Sequence, residues 1–330
     1  MKSENSPHDD GYSSGMVIRG SRNIFTVLLE DETVLECRIK GKVLKGVEGY
    51  YNPLAPGDRV SVEADPLHPG TGKITALEKR RTVFTRFNQK GSSSQLLAAN
   101  ADLVLCVTTP ASPPFRPRFL DRALLQADAA GIPPLIVVNK SDLFTGDTVS
   151  DDLDVDERLE DFRRIGYTVL NVSAKTGEGL DELRSLLEGK FSVLVGQSGV
   201  GKSSLINALL PFSNIRVGAI NEKYDRGNHT TTQAAMVELP GSENEKRTWI
   251  IDTPGIRRFV PDGVKAGETI LYLREFAPLA GKCTYGLSCS HRVEPGCKIM
   301  EAVAAGVIHE DRYESFLRIQ DELEGKNYVD

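Results

Sequence analysis

Between positions 196 and 203 the chain reads Gly196-Gln197-Ser198-Gly199-Val200-Gly201-Lys202-Ser203, with a second serine at Ser204. Glycines at that spacing free the backbone to turn its N–H groups inward, and a helix N-terminus behind them favours negative charge. Such a cradle suits a phosphate chain. The context agrees: the apolar run Ser192-Val193-Leu194-Val195 precedes it, and a helical pattern from Ser203 to Leu210 follows. Lys202 is expected to reach the outer two phosphates of a nucleotide, and Ser203 to bind Mg²⁺.

Two further loops follow buried-type runs and could read a base. Asn139-Lys140-Ser141-Asp142 comes after Leu135-Ile136-Val137-Val138, and Ser173-Ala174-Lys175 after Thr168–Val172. The open ends of strands in an α/β sheet are where ligands bind. Asp142 can accept from the N1–H and the exocyclic amine of guanine. Adenine presents neither arrangement and would leave the carboxylate unpaired. Asn139 would tie its loop to the base and the phosphate loop, the stem of Lys140 would cover one face of the base, and the backbone around Ser173, Ala174 and Lys175 would meet O6. With the phosphate loop, this set selects GTP over ATP.

A fourth loop, Asp252-Thr253-Pro254-Gly255, follows Trp249-Ile250-Ile251. Asp252 is expected to hold Mg²⁺ through water, and the Gly255 N–H to face the γ-phosphate. The next residue, Ile256, cannot orient an attacking water. His229, just before Thr230-Thr231-Thr232, is the best-placed candidate for that task. Gly199 stands where potassium-activated GTPases carry an asparagine, so nothing supports a potassium ion at the phosphates. An ordinary GTPase runs phosphate loop, threonine, Asp-x-x-Gly, Asn-Lys-x-Asp, Ser-Ala-Lys. Here the last two precede the first three, which is a circular permutation.

A separate chemistry is spelled by Cys283, Cys289, His291 and Cys297. Three thiolates and one imidazole form a closed ligand set with no open position, the composition of a structural zinc site, at a spacing unlike a Cys-x2-Cys knuckle. Cys37 and Cys106 fall in strand-like runs and are expected in the core.

These loops need elements to hold them. The chain has 330 residues, is 40% hydrophobic and 26% charged, and carries a formal net charge of -6, which suits a soluble multidomain protein without a generally basic coat. No apolar stretch is long enough to span a membrane, and the polar start, residues 1–15, reads as a disordered tail rather than a secretory signal. Residues 16–81 alternate in short strands, as in a small barrel of OB or SH3-like type. It carries basic residues at Arg38, Lys40, Lys42, Lys45, Lys79, Arg80 and Arg81. Residues 82–99, with Gly91-Ser92-Ser93-Ser94, read as a linker. From 100 to 260 strands and helices alternate as in a doubly wound α/β domain. Residues 150–161 are an acidic run expected to be a solvated face. From 261 to 330 the chain reads as helical, interrupted by the Cys/His segment. After Gly255 the chain is expected to pass directly into that zinc segment, linking it to the γ-phosphate.

In the permuted order of its motifs, in Gly-Gln-Ser-Gly-Val-Gly-Lys-Ser-Ser at 196–204, His-Thr-Thr-Thr at 229–232, Asp-Thr-Pro-Gly at 252–255 and the Cys…Cys-x-His…Cys of 283–297, the chain resembles the ribosome small-subunit-dependent GTPase A family. The resemblance runs from about Met16 to Glu324. It implies an N-terminal OB-fold that binds RNA, a circularly permuted P-loop GTPase domain and a mostly α zinc-binding domain. It implies a GTP hydrolase of late small-subunit maturation, stimulated by the small ribosomal subunit and its rRNA. It further implies one structural Zn²⁺, Mg²⁺ with GTP, His229 as the catalytic histidine and Thr231, within a run that includes Thr230 and Thr232, as the magnesium-sensing threonine. A cytoplasmic monomer is expected. The gap between Cys283 and Cys289 is one residue longer than in familiar members, and the acidic tail is not a family feature. The competing reading is an RNA-binding module that uses GTP only as a structural or affinity-setting ligand, to which Ile256 lends weight.

Overall fold

The computed structural model describes residues 12–20, 23–41, 44–45, 47–89, 91–144, 155–210, 234–239, 246–253 and 255–325. His229, Thr230–Thr232, Pro254 and most of the N-terminal tail lie outside them.

The chain opens with β1 (Ser13–Gly20), β2 (Phe25–Leu29), β3 (Val34–Ile39), β4 (Arg59–Ala64) and β5 (Thr71–Leu77). They pair in the order β1-β2-β3-β5-β4, and β4 returns to β1, closing a barrel of OB type. Alternation along β3 turns Leu35 and Cys37 inward while Glu36 and Arg38 face out. Val17, Phe25, Val27, Val60, Val62 and Ile74 complete the barrel core. Part of the basic cluster is structural. The Arg80 side chain is 8% exposed and donates to both oxygens of Asp58, and Arg81 pairs with Asp102.

Residues 82–99 are not a linker. They form a hairpin of β6 (Val83–Asn88) and β7 (Ser93–Ala99). The Gly91-Ser92 pair that reads as a breaker is only its turn. Phe84 and the run Leu96-Leu97-Ala98-Ala99 are buried, so the hairpin is covered on both faces at its base.

The central layer follows: β8 (Leu103–Thr108), α1 (Pro117–Ala129), β9 (Pro134–Asn139), α2 (Val155–Arg164), β10 (Thr168–Val172), α3 (Leu180–Leu187), β11 (Phe191–Gly196), α4 (Lys202–Leu209), β12 (Ala235–Leu239) and β13 (Thr248–Asp252). The sheet runs β10-β9-β8-β11-β13-β12, parallel except for β12. Its strands are buried on both faces, as β8 and β9 show along their full length. β12 touches β1 through Arg19 and Ala235, so barrel and sheet join edge to edge. The acidic run is not wholly a solvated face. Its second half is α2, where Leu159 and Phe162 are buried.

The C-terminal part has short 3₁₀ turns at Ala266–Tyr272, Ala277–Leu279 and Gly286–Ser288, then α5 (Lys298–Ala304) and α6 (Glu310–Leu323). Ile270, Leu273, Phe276, Ile299, Phe316 and Ile319 pack with Leu125 of α1. Beside them Arg312 of α6 is buried and donates to Asp121 of α1 at 2.7 Å and to Glu275 at 2.6 and 2.8 Å. Removing one partner of such a set strands a buried charge, at a cost of about 3–5 kcal/mol. Among the described residues no helix is long and apolar enough to cross a membrane.

Candidate nucleotide site and metal cluster

Asn139 ends β9, Ser173 follows β10, Gly196 ends β11 and Asp252 ends β13. These strands are parallel, so their four loops leave one edge of the sheet. Asn139 is buried at the centre of the group. Its amide donates to the Val200 carbonyl at 2.9 Å, and its carbonyl oxygen accepts from the Ala174 N–H at 3.1 Å. The approach requires Gly201. That residue has φ of +89°, and a Cβ there would stand 2.4 Å from the Asn139 amide nitrogen.

Lys140 is left-handed, with φ of 64°. Its ammonium donates to the Gly199 carbonyl at 2.9 Å and also to the Ser112 carbonyl. The loop after β8 therefore forms a wall of the site that the motifs did not reveal. A Pro-rich turn carries no donor or acceptor pattern by which sequence could assign it.

Asp142 accepts from the Ser173 hydroxyl at 2.7 Å and lies 3.5 Å from the Lys175 ammonium. The Ser173 hydrogen bond, helped by Lys175, holds its carboxyl below the usual carboxylate range. An ionised carboxylate is acceptor-only, the form two N–H donors of guanine require. The motif suggested only a backbone role for Ser173, whereas its side chain aims Asp142. Ser141 donates to Glu178 at 2.9 Å, a further bond between the two base-side loops.

In the phosphate loop, Lys202 starts α4 and is 7% exposed. Its ammonium donates to the Gly196 and Gln197 carbonyls at 2.8 and 3.1 Å. Burial pulls it down to about 8, partly opposed by the charge of Asp252. Asp252 itself is fully buried. Ser198, Gly199 and Ser204 are exposed, Gln197 and Ser203 half-buried, and Val200 packs inward.

Gly255 lies against this loop, where an added Cβ would stand 3.1 Å from Ser198 Cα. The Ile256 N–H donates to the Gly196 carbonyl at 3.3 Å, and its side chain is 2% exposed. Ile256 is thus committed to the core. His229 and Thr231 fall outside the described residues.

Cys283, Cys289, His291 and Cys297 are all buried, and their ligand atoms lie within 4.8 Å of one another. Cys283 Sγ is 3.9 Å from Cys297 Sγ, and His291 Nδ1 is 3.6 and 3.5 Å from the two sulfurs. A tetrahedron with Zn–S near 2.3 Å has S···S edges of about 3.8 Å, so the set fits one such ion. A disulfide would need the sulfurs at about 2.05 Å. The Lys298 N–H donates to Cys283 Sγ at 3.3 Å, and the Tyr313 hydroxyl to the His291 carbonyl at 2.6 Å. These outer contacts orient two of the four ligands.

The family model for the RsgA GTPase matches residues 77–260. A curated relative from Bacteroides thetaiotaomicron, the small ribosomal subunit biogenesis GTPase RsgA 2, is 38% identical over 94% of this chain and 98% of its own. Among solved structures, YjeQ from Thermotoga maritima is 30% identical with a TM-score of 0.69, covering 96% of this chain and 100% of that one. YloQ, described as a circularly permuted GTPase, shares the fold at 22% identity and a TM-score of 0.67, over 99% of this chain and 100% of its own.

Proposed function

The chain belongs to the RsgA GTPase family, and from that premise we propose that it binds the small ribosomal subunit and hydrolyses GTP there during late maturation. Members of this family are GTP hydrolases, so the chain is an enzyme. Stimulation of turnover by the subunit is proposed as well. So are the working units: a barrel at 16–81 that holds rRNA, the GTPase unit at 100–260 and the metal-bearing unit from 261 onward. The protein is proposed to act as a monomer in the cytoplasm, where its partner is assembled.

The observation that carries the GTP reading is the fixed geometry of Asp142. It is ionised, aimed by Ser173 and joined through Asn139 to the phosphate loop. On this reading the N–H groups of Gly196–Ser204 cradle the phosphates, and Lys202 exchanges its two loop carbonyls for phosphate oxygens. Ser203, Thr231 and Asp252 would hold Mg²⁺, which would supply neutralisation of phosphate charge. His229 orients the attacking water, a task closed to the buried Ile256. The Cys283, Cys289, His291 and Cys297 set would hold a structural Zn²⁺.

Because Ile256 cannot orient an attacking water, a second reading has support: an RNA-binding module whose GTP only sets affinity. Turnover at saturating GTP, with and without purified small subunits, separates the two. A rise supports the enzyme reading. No turnover in either condition supports the module.

A further inference from the structure

The segment that leaves Gly255 does not pass directly to the metal cluster. It first packs on the β6–β7 hairpin. Phe259 is 1% exposed, and its ring lies 6.0 Å from Phe84 of the hairpin and 6.1 Å from Phe119 of α1, edge-on to the latter at 82°. The Phe87 N–H donates to the Val260 carbonyl at 3.0 Å. Asp262 accepts from the Ser94 hydroxyl at 2.8 Å, and its own N–H donates to Gln126 at 2.7 Å.

The opposite side of the same hairpin is bound to the barrel. Asn52 exchanges two hydrogen bonds with the Leu96 backbone, at 2.9 and 3.0 Å. The Tyr51 N–H donates to the Ser94 carbonyl at 2.7 Å, and the Ala99 N–H to the Pro56 carbonyl at 3.0 Å. Gly57 touches the hairpin so closely that a Cβ would meet the Ala99 carbonyl at 2.1 Å. The hairpin is thus held by the barrel on one side and by residues 259–262 on the other. Gly255, four positions before Phe259, lies against the phosphate loop.

We infer that Phe259 is a positioning residue for hydrolysis: it holds the Gly255–Ile256 peptide in register with the phosphate loop and makes that register depend on how the barrel sits against the hairpin. The barrel is the unit proposed above to grip RNA, so its docking would reach the γ-phosphate through Asn52, the hairpin and Phe259. The inference rests on the GTPase reading of the site. Close packing transmits such shifts because a buried aromatic cluster has few alternative arrangements.

The test uses the full chain without ribosomal subunits. Hydrogen exchange over residues 50–57 and 93–99 is compared between the GDP state and the state with a non-hydrolysable GTP analogue. The wild-type protein should differ between states at both places, and Phe259→Leu should lose the difference. At saturating GTP, Phe259→Leu should also turn over about tenfold more slowly, since small misplacements near reacting atoms are costly. KM and GDP affinity should stay within about twofold. A merely structural role would lower the melting temperature and GDP affinity while leaving turnover per folded molecule intact. If Phe259→Leu does not fold, Asn52→Ala opens the barrel side of the same connection. It should keep basal turnover and lose the exchange difference at 50–57. A wild-type exchange difference in either variant overturns the inference, as does a nucleotide response confined to residues 281–298. If small subunits are then added and turnover does not rise although the exchange coupling is present, the ribosomal reading is refuted instead.

Discussion

The side-chain amide of Asn139 donates to the carbonyl of Val200 at 2.9 Å, so the loop proposed to read the base and the loop proposed to cradle the phosphates are one hydrogen-bonded unit. The first of these loops comes earlier in the chain than the second, the reverse of the ordinary order. The permutation moved the chain ends without disturbing the contact, because the parallel sheet places both loops on the same edge.

Asp142→Asn is expected to weaken GTP binding by roughly 10²–10⁴-fold, the worth of two hydrogen bonds to a charged acceptor. Xanthosine triphosphate should bind in its place, because the amide donates where xanthine offers an oxygen. Fluorescence titration with both nucleotides checks this. A variant that binds GTP as tightly as the parent would remove Asp142 from the site.

Lys202 gives the site a pH signature. Its ammonium sits near 8 in the nucleotide-free protein, below the ordinary 10.5, because it is buried. Between those two values the unfolded chain holds more protons than the folded one. The nucleotide-free protein should therefore gain stability from this group as pH rises through that window. Phosphates recharge the lysine, so GTP binding at pH 9 should take up close to one proton, and affinity should fall as pH climbs above about 8. Calorimetry in buffers of different ionisation heat measures the uptake, and Lys202→Ala should abolish it. Binding at pH 9 without proton uptake would contradict the burial argument.

Elemental analysis should find about one zinc per chain, the stoichiometry of a closed four-ligand site. Cys289→Ser should release the ion and unfold residues 281–298, whose order depends on the metal more than on apolar packing. Tyr285, Leu287 and Val293 in this segment are 53%, 88% and 83% exposed, so they add little core. Limited proteolysis should cut the variant there while the α/β sheet stays intact. A zinc-free wild-type protein would sink this assignment.

Much of the scaffold was legible because burial on both faces leaves unbroken apolar runs. Leu103–Thr108 and Pro134–Asn139 are such runs, and each base-side or phosphate loop could be located at the end of one. The β6–β7 hairpin was not legible. Its turn residues, Gly91 and Ser92, resemble a linker, and its apolar side is shared between two neighbours that only the fold brings together. The roles of Ser112 and Phe259 were hidden for a similar reason. One acts through a carbonyl, which every residue possesses, and the other through ring packing across distant segments. Arg80 was misleading in the other direction, since a cation in a basic cluster proved to be buried on Asp58.

The central claim, that this GTPase is switched on by the small ribosomal subunit, is met most directly by steady-state turnover at saturating GTP. Purified small subunits, purified large subunits and no addition are compared, for the wild type and for His229→Ala. Small subunits alone should raise the wild-type rate, by about tenfold or more if they complete the transition-state geometry. His229→Ala should bind GTP normally and lose most of that rise. An equal rate in all three conditions, or an equal rise with large subunits, would contradict activation by the small subunit.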